Sequence, residues 1–418
     1  MTTLGGNCDR PCTVTITNQS SANSTNFFWR FGQVSTSTDK DPAPVTFPDA
    51  GDFEIMLVAQ NAEGCPDTVI KVVHVGLGIS KFAKPVDVST ANVTPLNVTE
   101  RGDGKFHVLY EQSGLKTVLI NDLGEKDGNP ANISTTNISA TTSIPLNGGF
   151  VLGGENSPAA KVKFVSSAQA VAADPAGFQF NGGATSLIYG LTLNADNEIA
   201  ATGSRFAAGK FTPGFARISQ SGTVTLGPAI PLNDGFGGNS IAQRPDGGYL
   251  ILASCQTAGC TSSCTVISVS TNGGYNSKTD LPLISYPVRI IRASGDNYAV
   301  LGYTAAGSIK ALGLNASLAV SWQRDFPGVE ELSDIAATPD GQLVVCGTKG
   351  SSLYFAKFPA ASGSGFTWEK PFSATAATIR GLKISTAADG GYLILGVYEK
   401  NSEQDLYLVK TDAAGNTQ

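Results

Sequence analysis

The chain contains two histidines, His74 and His107. They are the first residues to weigh for chemistry, because imidazole titrates nearest neutral pH and is the commonest general acid–base. His74 stands in "KVVHV" and His107 in "KFHVLYE", each inside an apolar run and far apart in the chain. A nucleophilic triad needs its histidine in a cleft beside a hydroxyl and an acid, so both read as structural residues. Carboxylates come next, since glycoside cleavage uses a pair about 5–10 Å apart. Asp103, Asp196, Asp246, Asp296, Asp340 and Asp389 all fall in turn sequences, where an aspartate binds nearby backbone N–H groups and needs no catalytic role. Glu330 and Glu331, in "PGVEELSD", are adjacent acids on a connecting loop and read as solvated.

"NADNE" places Asn194, Asp196 and Glu198 at alternate positions, a partial match to a calcium loop that lacks the later glutamate. Calcium is the one ion this suggests; an ordinary turn explains the same residues, and no other cofactor motif is present. The seven cysteines fall as Cys8, Cys12 and Cys65, then Cys255, Cys260 and Cys264, with Cys346 apart. Clusters of this kind suit disulfides in an oxidising compartment. In "CQTAGCTSSC" a zinc site would want a fourth ligand and no histidine is near, so a staple across the loop is expected, from Cys255 to Cys264. Cys346 in "LVVCG" reads as a buried, inert thiol. "RGD" at Arg101–Asp103 looks like an integrin motif, but Asp103 is already accounted for as a turn residue.

The elements that must hold these residues are strands. Only 15% of the 418 residues are charged while Gly numbers 48, which disfavours long surface helices and favours short strands joined by tight turns. The net charge of −6 is mild and no Lys/Arg cluster occurs, so a nucleic-acid partner has no electrostatic footprint. No apolar run approaches the length of a membrane-spanning helix, and membrane insertion is not expected. No basic segment followed by an apolar stretch opens the chain, which reads as a mature secreted or surface protein without its signal peptide. A monomer is the expected state.

Residues 1–75 alternate apolar and polar positions, as in Phe53, Ile55 and Leu57, between turn-rich stretches such as "NQSSANSTN". This predicts a small two-sheet sandwich. "NQSSANSTNFFWRFG" followed by "DPAPVTFPDAGDFEIMLVAQNAEGCPDTVIKVVHV" resembles a PKD (polycystic kidney disease) domain, an immunoglobulin-like sandwich of extracellular proteins. The resemblance assigns Trp29 and Phe31 to the core, although both aspartates of the family's usual "WDFGDG" are missing from Trp29–Val34. It also sets Cys65, in "NAEGC", to pair with Cys12 or Cys8, with Cys12 preferred.

Residues 76–418 repeat. A turn, an apolar run and a small residue recur at "GDGKFHVLYE", "LNGGFVLGGE", "ADNEIAATGS", "PDGGYLILAS", "SGDNYAVLGY", "PDGQLVVCGT" and "ADGGYLILGV". Anchored on Asp103, Asn147, Asp196, Asp246, Asp296, Asp340 and Asp389, the copies lie about 44–50 residues apart, a period that signals a propeller or solenoid. The second strand of each unit is apolar at consecutive positions, as expected when sheets stack on both faces. The fold class expected is all-β: a sandwich followed by a seven-bladed β-propeller of four-stranded blades. The last copy lacks an outer strand, and "GISKFAKPVDV" (Gly78–Val88) should supply it and close the ring.

"DGGYLILG" and "DLYLVKTDAAGN" resemble the propellers of secreted Bacteroidetes proteins, which accompany PKD domains and type IX sorting domains. No sorting domain follows Gln418, so the chain reads as a piece of a longer protein. The resemblance implies a non-enzymatic binding or adhesion module whose propeller loops recognise an extracellular protein or glycan. Two other readings stay open: a carbohydrate-active hydrolase or lyase using loop carboxylates near the central channel, and a structural spacer of a larger adhesin.

Overall fold

The structure, a computed structural model, describes residues 2–3, 8–9, 12–49, 51–76, 81–88, 92–133, 138–181, 185–207, 209–232, 235–257, 260, 262–362 and 364–417. All regular elements among the described residues are strands, and no helix is long and apolar enough to cross a membrane. Two compact units are present, Met1–Ser80 and Lys81–Gln418. The sequence reading placed this division at residues 75 and 76.

In the first unit a five-stranded sheet runs in the order Cys8–Asp9, Pro66–Gly76, Gly51–Asn61, Ser24–Phe31 and Ser35–Ser37. The short pair Cys12–Val14 and Val45–Phe47 contributes to the same core. Alternation along Gly51–Asn61 turns Ile55 and Leu57 inward against Trp29, Phe31, Phe47, Val73 and Val75. Trp29 is fully buried, and its indole N–H donates to the Asp39 carbonyl at 3.0 Å, so the one polar atom of the ring is satisfied.

Among the described residues the second unit forms seven four-stranded antiparallel sheets. Their first strands are Thr94–Glu100, Ser139–Leu146, Thr185–Leu193, Phe236–Gln243, Tyr286–Ser294, Glu331–Ala337 and Thr378–Thr386. Each of these packs beside the first strand of the next sheet, and Thr94–Glu100 packs beside Thr378–Thr386, so the series returns on itself. Six sheets follow chain order. The seventh takes its outer strand from Phe82–Val86, which pairs antiparallel with Glu403–Thr411 from Phe82 opposite Lys410 to Val86 opposite Leu406. Residues 78–80 of the expected closing segment lie outside the described residues.

Second strands are buried on both faces, as in Tyr392–Val397 and Tyr249–Ala253. The clusters they form join neighbouring sheets: Leu250, Leu252 and Val266 of the fourth pack with Ile290, Tyr298 and Val300 of the fifth. Each such side chain contributes about 1.5–3 kcal/mol through apolar burial. The phrase "DGG" opens two of these strands. Asp389 accepts the Gly391 N–H at 2.9 Å through Oδ1 and the Lys410 ammonium at 2.6 Å through Oδ2. Gly390 has φ +80°, a region that favours glycine, and a Cβ on Gly391 would lie 1.9 Å from the Thr411 carbonyl oxygen. Every residue of the phrase is thus required by the turn and by its ion pair.

Candidate functional site

The first strand of every sheet carries a β-bulge at an equivalent place. The register shifts between Pro95 and Asn97, Ala140 and Thr142, Ile188 and Gly190, Gly238 and Ser240, Pro287 and Arg289, Leu332 and Asp334, and Gly381 and Lys383. A bulge re-aims the side chains beside it. Here those residues tie one sheet to the next. Asn97 donates through Nδ2 to the Ser143 carbonyl at 2.9 Å, Ser240 Oγ accepts the Ile290 N–H at 3.2 Å, and Asp334 Oδ2 accepts the Ile384 N–H at 3.1 Å. Thr141, the bulge residue of the second sheet, donates to the Ile188 carbonyl of the third.

These seven strands enclose a cavity of about 580 Å³. Its wall is mostly hydroxyl, amide and aliphatic, including Asn97, Thr142, Ser143, Thr192, Asn239, Ser240, Gln243 and Ser385. Its charged residues are Arg289, Arg292, Lys383 and Asp334. The Asp334 side chain is 2% exposed, and both its oxygens are occupied: Oδ1 accepts the Ile335 N–H at 3.0 Å and the Arg289 guanidinium, while Oδ2 holds Ile384. Buried and already accepting three protein donors, Asp334 organises the wall. The Arg289 side chain remains 38% exposed and keeps other N–H groups free of Asp334.

None of the expected chemical residues lies here. His107 is fully buried in the second strand of the first sheet, with its ring 4.9 Å from that of Phe150. Its Nδ1–H donates to the Gly148 carbonyl at 3.0 Å, Nε2 meets no partner among the described residues, and burial holds its pKa below the ordinary imidazole value. His74 lies in the first unit, and its side chain is outside the described set. The calcium candidates form a turn: Asn194 Oδ1 accepts the N–H groups of Asp196 and Glu198 at 3.0 and 2.8 Å, and Glu198 is ion-paired with Arg217 at 2.6 Å. No cluster of three or more His, Cys, Asp or Glu residues suited to a metal occurs among the described residues. Arg101 and Asp103 of "RGD" pair with each other at 3.2 Å.

Both expected disulfides require correction. Cys255 bonds Cys260, and Cys264 is a buried free thiol. The register explains this: Ser254 lies opposite Cys264, so the next residue, Cys255, points to the other face of the sheet. Cys264 packs with Leu250 and Leu252, and burial pushes its pKa up to about 12. Cys12 is disulfide-bonded, whereas Cys65 is exposed and free. Cys65 sits at a hairpin tip with its N–H bound to Asn61 Oδ1 at 3.0 Å, while Cys12 is buried in the core, so the two are not partners. Cys346 is buried and its pKa is raised by that burial. A thiol-reactive probe is therefore expected to modify Cys65 rapidly in the native protein, and Cys264 and Cys346 only after unfolding. Retention of the rapid phase in Cys65→Ser would contradict this assignment.

No protein-family model matches the chain, and no curated protein is significantly similar in sequence. Solved structures do match. A catalytically inactive virginiamycin B lyase from Staphylococcus aureus, with quinupristin, superposes with a TM-score of 0.54 at 11% identity over 78% of this chain and 99% of that one. The WD40 domain of Toxoplasma gondii coronin gives 0.50 at 8% identity over 79% and 86%. The second unit is a β-propeller. At these identities the likeness is one of fold, and the cavity described above is the propeller's central channel.

Proposed function

We propose that the chain is a secreted or cell-surface binding module, a PKD-like sandwich followed by a seven-bladed propeller that recognises an extracellular protein or glycan without turning it over. The observation that carries this reading is the channel wall. It presents hydroxyls, amides and three cations, and its one carboxylate is buried and already accepts three protein donors. A glycoside hydrolase of the usual kind would need two carboxylates facing one space. The virginiamycin B lyase compared above was inactivated by replacing a histidine with alanine, whereas the single histidine of this propeller, His107, is buried in a strand. The seven sheets and the closure by Phe82–Val86 support the blade count. Trp29 and Phe31 in the core of the first unit support the PKD-like reading. The Cys255–Cys260 disulfide suits an extracellular setting.

The decisive experiment screens the whole chain against a glycan array and extracellular proteins, with and without calcium. Binding with the ligand recovered intact is the expected result. A cleaved glycan would overturn the reading in favour of the enzyme, and no binding in any arm would favour a spacer of a larger adhesin.

A further inference from the structure

We propose that the central channel binds a saccharide bearing a carboxylate, held by Arg292 and Lys383 with Arg289 beside them; this rests on the binding-module reading above. The charge count carries it. Three cations and one acid line the cavity, and that acid, Asp334, is already matched to Arg289. Arg292 and Lys383 make no ion pair among the described residues, and the wall offers no other carboxylate to neutralise them. This excess lies in a chain whose net charge is −6, so it is a local feature. A cleft lined by an excess of one sign of charge raises the local concentration of the opposite ion. Arginine's planar fork of N–H donors matches a carboxylate with two parallel hydrogen bonds.

The remainder of the wall selects the body of the ligand. Thr142 and Ser385 are half-buried hydroxyls around the same space, of the kind that pair with sugar hydroxyls. A volume of about 580 Å³ falls within the range of about 300–1,000 Å³ usual for small-molecule sites. The cations come from the fifth and seventh sheets, with Asp334 of the sixth between them, and all line the one cavity.

The test titrates the whole chain at low ionic strength with glucuronate, its uncharged methyl ester, glucose and acetate, and in a separate arm with an acidic peptide. Glucuronate is expected to bind at least about tenfold more tightly than the other three, the factor for one charge-assisted hydrogen-bond pair. Arg292→Gln and Lys383→Gln should each weaken glucuronate about tenfold at an unchanged melting temperature. Arg289 is left alone because it also holds Asp334. Equal affinity for glucose and glucuronate, or for acetate and glucuronate, overturns the proposal, as does glucuronate binding that both variants leave intact. Preference for an acidic peptide over every saccharide also overturns it, yet leaves the binding-module reading standing. If either variant misfolds, the wild-type comparison of glucuronate with its methyl ester decides alone.

Discussion

Deletion of residues 78–88 is expected to lower the melting temperature of the protein by about 10 °C and to make it prone to aggregate. The strand Phe82–Val86 pairs along its whole length with Glu403–Thr411. Its Phe82 and Val86 are 8% and 4% exposed, and the Phe82 ring meets Phe106 of the first sheet edge-on at 5.7 Å. Loss of two buried side chains at about 1.5–3 kcal/mol each, together with the ladder, removes about 5 kcal/mol. For a unit of this size that corresponds to about 2 °C per kcal/mol. The deletion also bares the edge of Glu403–Thr411, a template for pairing between molecules. Differential scanning calorimetry and light scattering measure both effects. A variant melting at the wild-type temperature would refute the closure. Moving the segment to follow Gln418 should recover most of the loss, because the strand is needed in its place and not at its position in the chain.

Asp334→Ala is expected to cost about 3–5 kcal/mol of unfolding free energy, as for other buried charged pairs that lose one partner. The side chain joins three of the seven sheets: its own, the fifth through Arg289, and the seventh through the Ile384 N–H. Removing it leaves the N–H groups of Ile335 and Ile384 buried without an acceptor, at about 1–3 kcal/mol each. Asp334→Asn keeps the shape and one acceptor and should lose less than half as much. Chemical denaturation with guanidinium measures the difference. Equal stability of Asp334→Ala and wild type would show that the sheets are held by apolar packing alone. Arg289→Gln provides the companion measurement: its side chain is partly exposed, so its loss should cost less than the loss of Asp334.

Much of the architecture is legible in the residues. The recurrence of a turn acid, a glycine and a consecutive apolar run marks each second strand, because a strand stacked on both faces has no polar side to show. The outer strand missing after "DLYLVKTDAAGN" predicted the pairing now seen at Phe82–Val86. Local turn chemistry was equally plain: Asp389, Asp246 and Asn194 each bind backbone N–H groups two or four residues on. The channel residues do carry a signal in the sequence. Asn97, Ser240, Asp334 and Lys383 stand at one spacing before the turn acids Asp103, Asp246, Asp340 and Asp389. They fall inside strands, whereas recognition was expected from the propeller loops. The disulfides failed for a related reason. A staple across the loop suggested Cys255 and Cys264, but adjacent strands in register put them on opposite faces.

By itself the sequence determined what local periodicity and turn stereochemistry can specify: an all-β chain, a sevenfold repeat, the tight turns, and a closing strand drawn from the start of the second unit. Only the tertiary structure decided which side chains meet across sheets. Arg289 and Asp334 are 45 residues apart and Asp334 and Ile384 are 50 apart along the chain, so the contacts between them are set by neighbouring sheets and not by neighbouring residues. A bulge in each inner strand brings them to one ring, and burial there sets which charges are spent on the scaffold and which are left to face a ligand.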